Sequence, residues 1–152
     1  MPHVKVYIHF VWSTKYREPF LKSSLIRKKV WKHIKENAAE KGIDMDFING
    51  YYDHCHCLVR LQPDQTISEL MQLIKGESSF WINKNKLYKD NFEWQNDYYA
   101  VSVGESALQR VRTYIKNQEF HHQFQSFEQE EEVMIEKYGF IKIVPPLKTE
   151  GK

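Results

Sequence analysis

Residues 43–61 read IDMDFINGYYDHCHCLVRL. Ile43, Met45 and Phe47 alternate with Asp44 and Asp46, the period-two pattern of a half-buried strand. Asn49-Gly50 is a strong turn signal, and a second run over about 52–61, closed by Pro63, supplies the other arm of a hairpin. Upstream, Val4, Val6, Ile8, Phe10 and Trp12 alternate with Lys5, Tyr7, His9 and Val11 as another strand. A helix over about 21–41 follows Pro19, with Leu25, Val30 and Ile34 inward and Gly42 as its stop. Downstream, Ile67, Leu70, Met71 and Ile74 mark one face of a helix over about 66–83. A polar, aromatic-rich connection over 84–96 leads to a fourth strand over 98–103. Ser102 and Glu105 have capping-box spacing ahead of a third helix over about 105–122. An acidic helix over about 126–138 and a proline-containing tail follow. The order β-α-β-β-α-β predicts an α+β fold: a ferredoxin-like, RRM-like split βαβ sandwich. Its antiparallel four-stranded sheet carries helices on one face and leaves the other for a ligand or partner, with a further helix at the C-terminal end.

At 152 residues and 41% hydrophobic content the chain is long enough for one packed core. No apolar run approaches the ~20 residues that a membrane helix needs, and the first thirteen residues lack a signal-peptide pattern. The reading is therefore a cytoplasmic protein with no membrane association. The net charge of +2 alone points to no nucleic-acid partner, yet it hides an asymmetry. Residues 1–42 carry ten Lys and Arg against three acids, and residues 124–152 carry six Glu against four Lys. A basic N-terminal third fits a phosphate-bearing partner as well as it fits a solvated helix face.

His54-Cys55-His56-Cys57 is the most informative stretch. On a strand His54 and His56 project together with Leu58 and Arg60, while Cys55, Cys57, Val59 and Leu61 point to the opposite face. That alternation opposes a zinc site built from all four residues, and it makes the cysteines small buried hydrophobes rather than a disulfide pair. A histidine-triad nucleotide hydrolase would want a third histidine where Leu58 stands. Two further readings stay open: a two-histidine divalent-metal site completed from elsewhere, and two half-exposed sheet histidines.

The third helix carries Tyr114, Gln118 and His121 in one stripe beside an apolar stripe of Leu108, Val111 and Ile115. An amide oxygen suits Mg²⁺ or Mn²⁺, and a phenol is a potential covalent nucleophile. Equally, Tyr114 could pack at a helix–sheet junction and Gln118 face water. In the connection, Tyr88, Phe92 and Trp94 could stack on unpaired bases or anchor the loop to the core.

Taken in order, several motifs resemble the small single-tyrosine HUH transposases of bacterial insertion sequences and their relatives, the REP-associated tyrosine transposases. They are His9-Phe-Val-Trp-Ser-Thr-Lys15-Tyr-Arg17, Tyr51-Tyr-Asp-His54-Cys-His56, Trp94-Gln95, residues 98–103, Tyr114-Ile-Lys-Asn-Gln118 and His121-His122. The resemblance spans about residues 3–123, with Cys55 standing where those proteins usually have an aliphatic residue. It implies a catalytic domain over 1–123, followed by an acidic helix and tail over 124–152. It implies cleavage and rejoining of single-stranded DNA at hairpin-bearing ends, through a 5′-phosphotyrosine on Tyr114. The metal, Mg²⁺ or Mn²⁺, would sit on His54, His56 and Gln118. It also implies a homodimer in which the tyrosine helix works in trans, with Gly104 placed as a hinge. Lys15, Arg17, Arg60 and Lys75 are the candidate DNA contacts, and His9 and His121 are candidate neighbours of the site. A non-catalytic single-strand-binding module and a nucleotide metallohydrolase are the alternatives.

Overall fold

The computed structural model describes residues 2–122 and 125–138. Four strands, β1 (Val6–Ser13), β2 (Asp44–Gly50), β3 (His54–Leu61) and β4 (Tyr99–Val103), form one sheet in the order β2-β3-β1-β4, and every neighbouring pair is antiparallel. Helices α1 (Ser24–Glu40) and α2 (Ile67–Lys84) connect the strands. Each begins on a side-chain cap, Ser23 accepting from the Ile26 amide and Thr66 from the Glu69 amide. Gly42, at φ 74°, takes the left-handed turn that ends α1. The expected α+β split βαβ sandwich is the fold observed. No helix among the described residues is long and apolar enough to cross a membrane.

The α1/α2 face of the sheet holds the main core. Ile8, Phe10 and Trp12 of β1 and Cys55, Cys57 and Val59 of β3 are buried there against Val30, Ile34, Leu70, Met71 and Ile74. Each fully buried large apolar side chain contributes roughly 1.5–3 kcal/mol. This layer therefore carries the fold, and the opposite layer is free to be polar. Phe92 and Trp94 belong to the same core, Tyr88 packs against it, and the Trp94 indole donates to Ser78 Oγ at 2.8 Å. These aromatics are loop anchors and not stacking platforms for bases.

Several expectations are corrected. Leu25 is exposed and Ile26 packs inward instead; five residues along a helix turn a side chain about 140° away from Val30. A bulge between Met45 and Phe47 breaks the alternation of β2. Met45 stays in the main core, Phe47 crosses to the far face beside Leu58, and Asp46 meets Arg112 at 2.6 Å. Asn49-Gly50 is not the turn: Gly50 is the last residue of β2 and pairs with Cys55, so the reversal comes at residues 51–53. Ser102 caps nothing, because it lies in β4 opposite Ile8. A short 3₁₀ turn over Glu105–Ala107 precedes α3 (Leu108–Lys116), and Glu105 instead pairs with Lys5.

The second sheet face is not open. The third helix breaks at Asn117 into α3 and α4 (Gln118–His121), and α5 (Phe127–Tyr138) follows. Leu108 and Ile115 pack on Leu58, with Val111 beside them, and Phe127 packs on Val11. The described part of the acidic tail thus lies on the same sheet as the histidines. The tail's proline-containing end falls outside the described residues.

Candidate metal and tyrosine site

Beneath these helices His54 and His56 project from β3 and are fully buried. Their outer nitrogens are anchored. Asp53 Oδ1 lies 2.9 Å from His54 Nδ1; a carboxylate only accepts, so Nδ1 carries the proton and Nε2 is left for other work. His56 Nδ1 lies 2.9 Å from His9 Nε2, across the β1–β3 ladder. Burial, reinforced by the neighbouring His56, lowers the His9 pKa to about 3 against the opposing pull of Glu130. His9 therefore stays neutral and can accept from His56. At the end of α4, His122 Nδ1 donates to the Gln125 carbonyl at 2.6 Å, which leaves its Nε2 free as well.

All three Nε2 atoms converge. Glu130 Oε1, reaching in from α5, is 3.3 Å from His54 Nε2, 3.1 Å from His56 Nε2 and 3.2 Å from His122 Nε2. Gln118 Oε1 is 3.1 Å from His54 Nε2 and 3.0 Å from His122 Nε2. The His54, His56, His122 and Glu130 ligand atoms lie within 4.8 Å of one another. Donors about 2.1 Å from one ion at tetrahedral to octahedral angles stand about 3.0–3.4 Å apart. The observed separations are those of a ligand set around one cation, and the residues present fit a divalent metal.

Electrostatics agree. Burial lowers the His56 pKa, outweighing the attraction of Glu130, and burial with the neighbouring His54 takes His122 down to about 3. His54 differs: burial opposes its charge, but its bonds to Asp53 and Glu130 prevail and the pKa rises. Burial opposes the Glu130 charge too, yet His56 and His54 hold its pKa at about 2. An anionic carboxylate among mostly neutral imidazoles favours a bound cation.

Tyr114 stands over this cluster. Its hydroxyl donates to Glu130 Oε2, and its ring meets His56 and His121 edge-on at 5.6 and 5.2 Å between centroids. Gln118, one turn on, keeps the expected shared stripe although the helix breaks between them, and it is fully buried. His121 Nε2 is 3.6 Å from Glu130 Oε2. Tyr114, His54, His56, Gln118, His9 and His121 thus lie together in one cluster. His122 and Glu130 were missed. The spacing of His122 from Gln118, a further helical turn, was a usable signal; Glu130 had none, because only the docking of α5 puts it here.

The expected DNA contacts scatter. Arg17 lies at the rim, its guanidinium over the Phe127 ring and paired with Glu131 of α5. Lys15 is exposed and pairs with Glu93 at 3.0 Å. Lys75 is committed to the carbonyls of Gln95 and Asn96 at 2.6 and 3.0 Å, clamping the loop before β4. Arg60 is bonded to the Val4 carbonyl at 3.1 Å. Six residues along β3 put it about 20 Å from His54, too far to share a nucleotide with it.

The depressed histidines make acid lability an expected property of the metal-free protein. His9, His56 and His122 have folded pKa values below the unfolded 6.5, so the stability they confer is present above that pH. It is lost as pH falls toward about 3, the value of His9 and His122. His54 has the opposite sign and offsets one of the three. Each net proton gained on unfolding costs about 1.4 kcal/mol per pH unit. Urea midpoints in chelator should therefore drop steeply between pH 7 and 5, and a flat profile would contradict the burial of these rings.

Fold and site together define a small α+β domain that presents a tyrosine to a buried His-X-His pair whose surroundings fit a divalent metal. The chain belongs to the IS200-like transposase family, whose pattern, described as "Transposase IS200 like", matches residues 3–118. It is 26% identical over 116 residues to the ISDra2 transposase TnpA of Deinococcus radiodurans, covering 72% of this chain and 81% of that one. It is 27% identical over 123 residues to the transposase of insertion sequence IS200 from Salmonella typhimurium, covering 72% and 74%. The fold matches a crystal structure from Deinococcus radiodurans, provisionally named a transposase, at TM-score 0.61 and 22% identity, over 77% of this chain and 93% of that one. It also matches a REP-associated tyrosine transposase bound to a REP hairpin, at TM-score 0.59 and 16% identity, over 80% and 72%. Family membership makes this chain a DNA-processing enzyme of mobile-element type.

Proposed function

We propose that this protein cuts and rejoins single-stranded DNA at hairpin-bearing ends, with Tyr114 as the nucleophile. The observation that carries the reading is the single carboxylate of Glu130, which touches the Tyr114 hydroxyl with one oxygen and the three imidazoles with the other. One anionic group in that position meets the nucleophile and stands among the metal donors at once, where an oxygen of the scissile phosphate would reach the ion. The Tyr114 oxygen attacks phosphorus, the bond to the 3′ oxygen breaks, and a 5′-phosphotyrosine and a free 3′-OH result. Strand transfer reverses the step with another 3′-OH, so the phosphodiester's energy is kept and no nucleotide cofactor is needed. His54, His56 and Gln118, with His122 beside them, would hold Mg²⁺ or Mn²⁺, which supplies Lewis-acid stabilisation of phosphate charge when bound. Asp53 and His9 keep the imidazoles turned inward. A DNA substrate places this work in the cytoplasm.

The arrangement supports a tyrosine acting in cis rather than the trans exchange within a homodimer that the resemblance implies. Here α3 packs on Leu58 of its own β3, next to the histidines that Tyr114 faces. Leu108 and Ile115 complete that cluster within one chain, so no second copy is needed to bring Tyr114 to the histidines. The hairpin follows the relative captured with one. The decisive experiment incubates the protein with Mn²⁺ and single strands taken from the palindromic DNA flanking its gene. An SDS-resistant protein–DNA adduct is expected with the ion and none with EDTA. No adduct on any flanking end would reject the reading.

A further inference from the structure

Among the described residues, three side chains seat α5 on the site, and two of them are carboxylates. Glu130 bridges Tyr114 and the imidazoles. Glu131, the next residue, pairs with Arg17 and accepts from the Tyr99 hydroxyl at 2.6 Å. Phe127 stacks on His54 at 4.3 Å between centroids and is buried there. The anionic groups thus lie on the nucleophile, on the metal donors and on the one candidate DNA cation at the rim of the site.

We propose that α5 is an internal mimic of the DNA backbone. Glu130 occupies the seat of the scissile phosphate, and Glu131 occupies a second phosphate seat formed by Arg17 and Tyr99. The proposal rests on the function argued above and adds that the helix must leave before a strand is cut. Glu130 could be read instead as a working ligand or as the base that deprotonates Tyr114. Position argues against the base; Glu130 Oε1 stands at ligand spacing from the imidazoles, so the rate of Glu130→Ala separates the mimic from a working ligand. A base would stand beside the line between nucleophile and phosphate, whereas Glu130 fills the gap between the Tyr114 oxygen and the ligand set. Neither role explains why the adjacent Glu131 is paired with a rim arginine.

Glu130→Ala removes the first mimic. Glu131→Ala loosens α5 without touching the metal donors, and it keeps the test alive should Glu130→Ala fail to fold. Both are made in the full chain. Affinity is read by anisotropy with a labelled oligothymidylate of roughly twenty nucleotides, and chemistry by adduct formation on the flanking DNA at saturating Mn²⁺. Each variant should bind the oligonucleotide at least about tenfold more tightly and form adduct at least about tenfold faster. In the wild type, hydrogen exchange across α5 should accelerate when oligonucleotide is added. Slower adduct formation by Glu130→Ala would make Glu130 a ligand or base and overturn the mimicry. Unchanged affinity, or α5 staying protected under saturating DNA, would overturn it too. Tighter binding with no adduct from any form would sustain the mimicry while rejecting the tyrosine chemistry. Adduct formation at one unchanged rate would do the reverse.

Discussion

Tyr114→Phe should abolish the covalent adduct, a loss of at least about a thousandfold, while leaving the protein folded and able to bind metal. The substitution deletes a single oxygen from a ring whose edge contacts with His9, His56 and His121 all survive. The lost bond to the anionic Glu130 costs about 1.5–3 kcal/mol, less than the stability of a domain this size. The phenol is not among the convergent donors, so Mn²⁺ affinity should stay within about twofold of the wild type. Chemistry, by contrast, has no substitute: the next oxygen able to form an ester would have to reach the phosphate seat from elsewhere. Three measurements settle it together: adduct by denaturing gel, ion affinity by calorimetry and a thermal melt. An adduct that persists in Tyr114→Phe moves the nucleophile to another residue. Nucleotide hydrolysis that survives the substitution, with no adduct in either protein, favours a metallohydrolase.

Much of this was legible in the residues because it depends on short-range periodicity. Alternation along β1 and β3 sorted His9, His54 and His56 from Phe10, Trp12, Cys55 and Cys57, and the structure keeps that division. Helical spacing put Tyr114 and Gln118 on one stripe. The misreadings arise where a tertiary contact overrides the local pattern. Asp46 pairs with Arg112 at a bulge that carries Phe47 to the other face. Lys75 looks like a free cation until the loop before β4 folds over it. His122 and Glu130 reach the site only because the chain breaks at Asn117 and α5 then returns across the sheet, and no periodicity encodes a return. An acidic helix reads as a solvated tail until its partner surface, a ring of imidazoles, is in place.

Gly50→Ala should destabilise the fold by about 3 kcal/mol, at the upper end of what one added methyl group does. Gly50 looks like a turn glycine, but it lies in β2 opposite Cys55, where its missing side chain lets the strands and α1 approach. A Cβ there would stand 2.2 Å from the His54 carbonyl oxygen, 2.9 Å from Trp31 Cζ2 and 3.0 Å from Cys55 Cα. Two of those neighbours are backbone and the third is a buried indole, so none yields by rotating a flexible end. Relief must come from moving β3 where it carries His54. The urea midpoint should fall by roughly 1.5 M at an unchanged slope of about 2 kcal/mol per molar, and Mn²⁺ affinity should fall with it because His54 is displaced. Gly76→Ala is the matched control. A Cβ at that position in α2 meets nothing within 4 Å, and replacing a mid-helix glycine there should raise stability by about 0.5–1 kcal/mol. If the two substitutions shift the midpoint alike, close approach at Gly50 is not what holds the histidine strand. If Gly50→Ala lowers stability but leaves ion affinity intact, β3 absorbs the clash without moving the site.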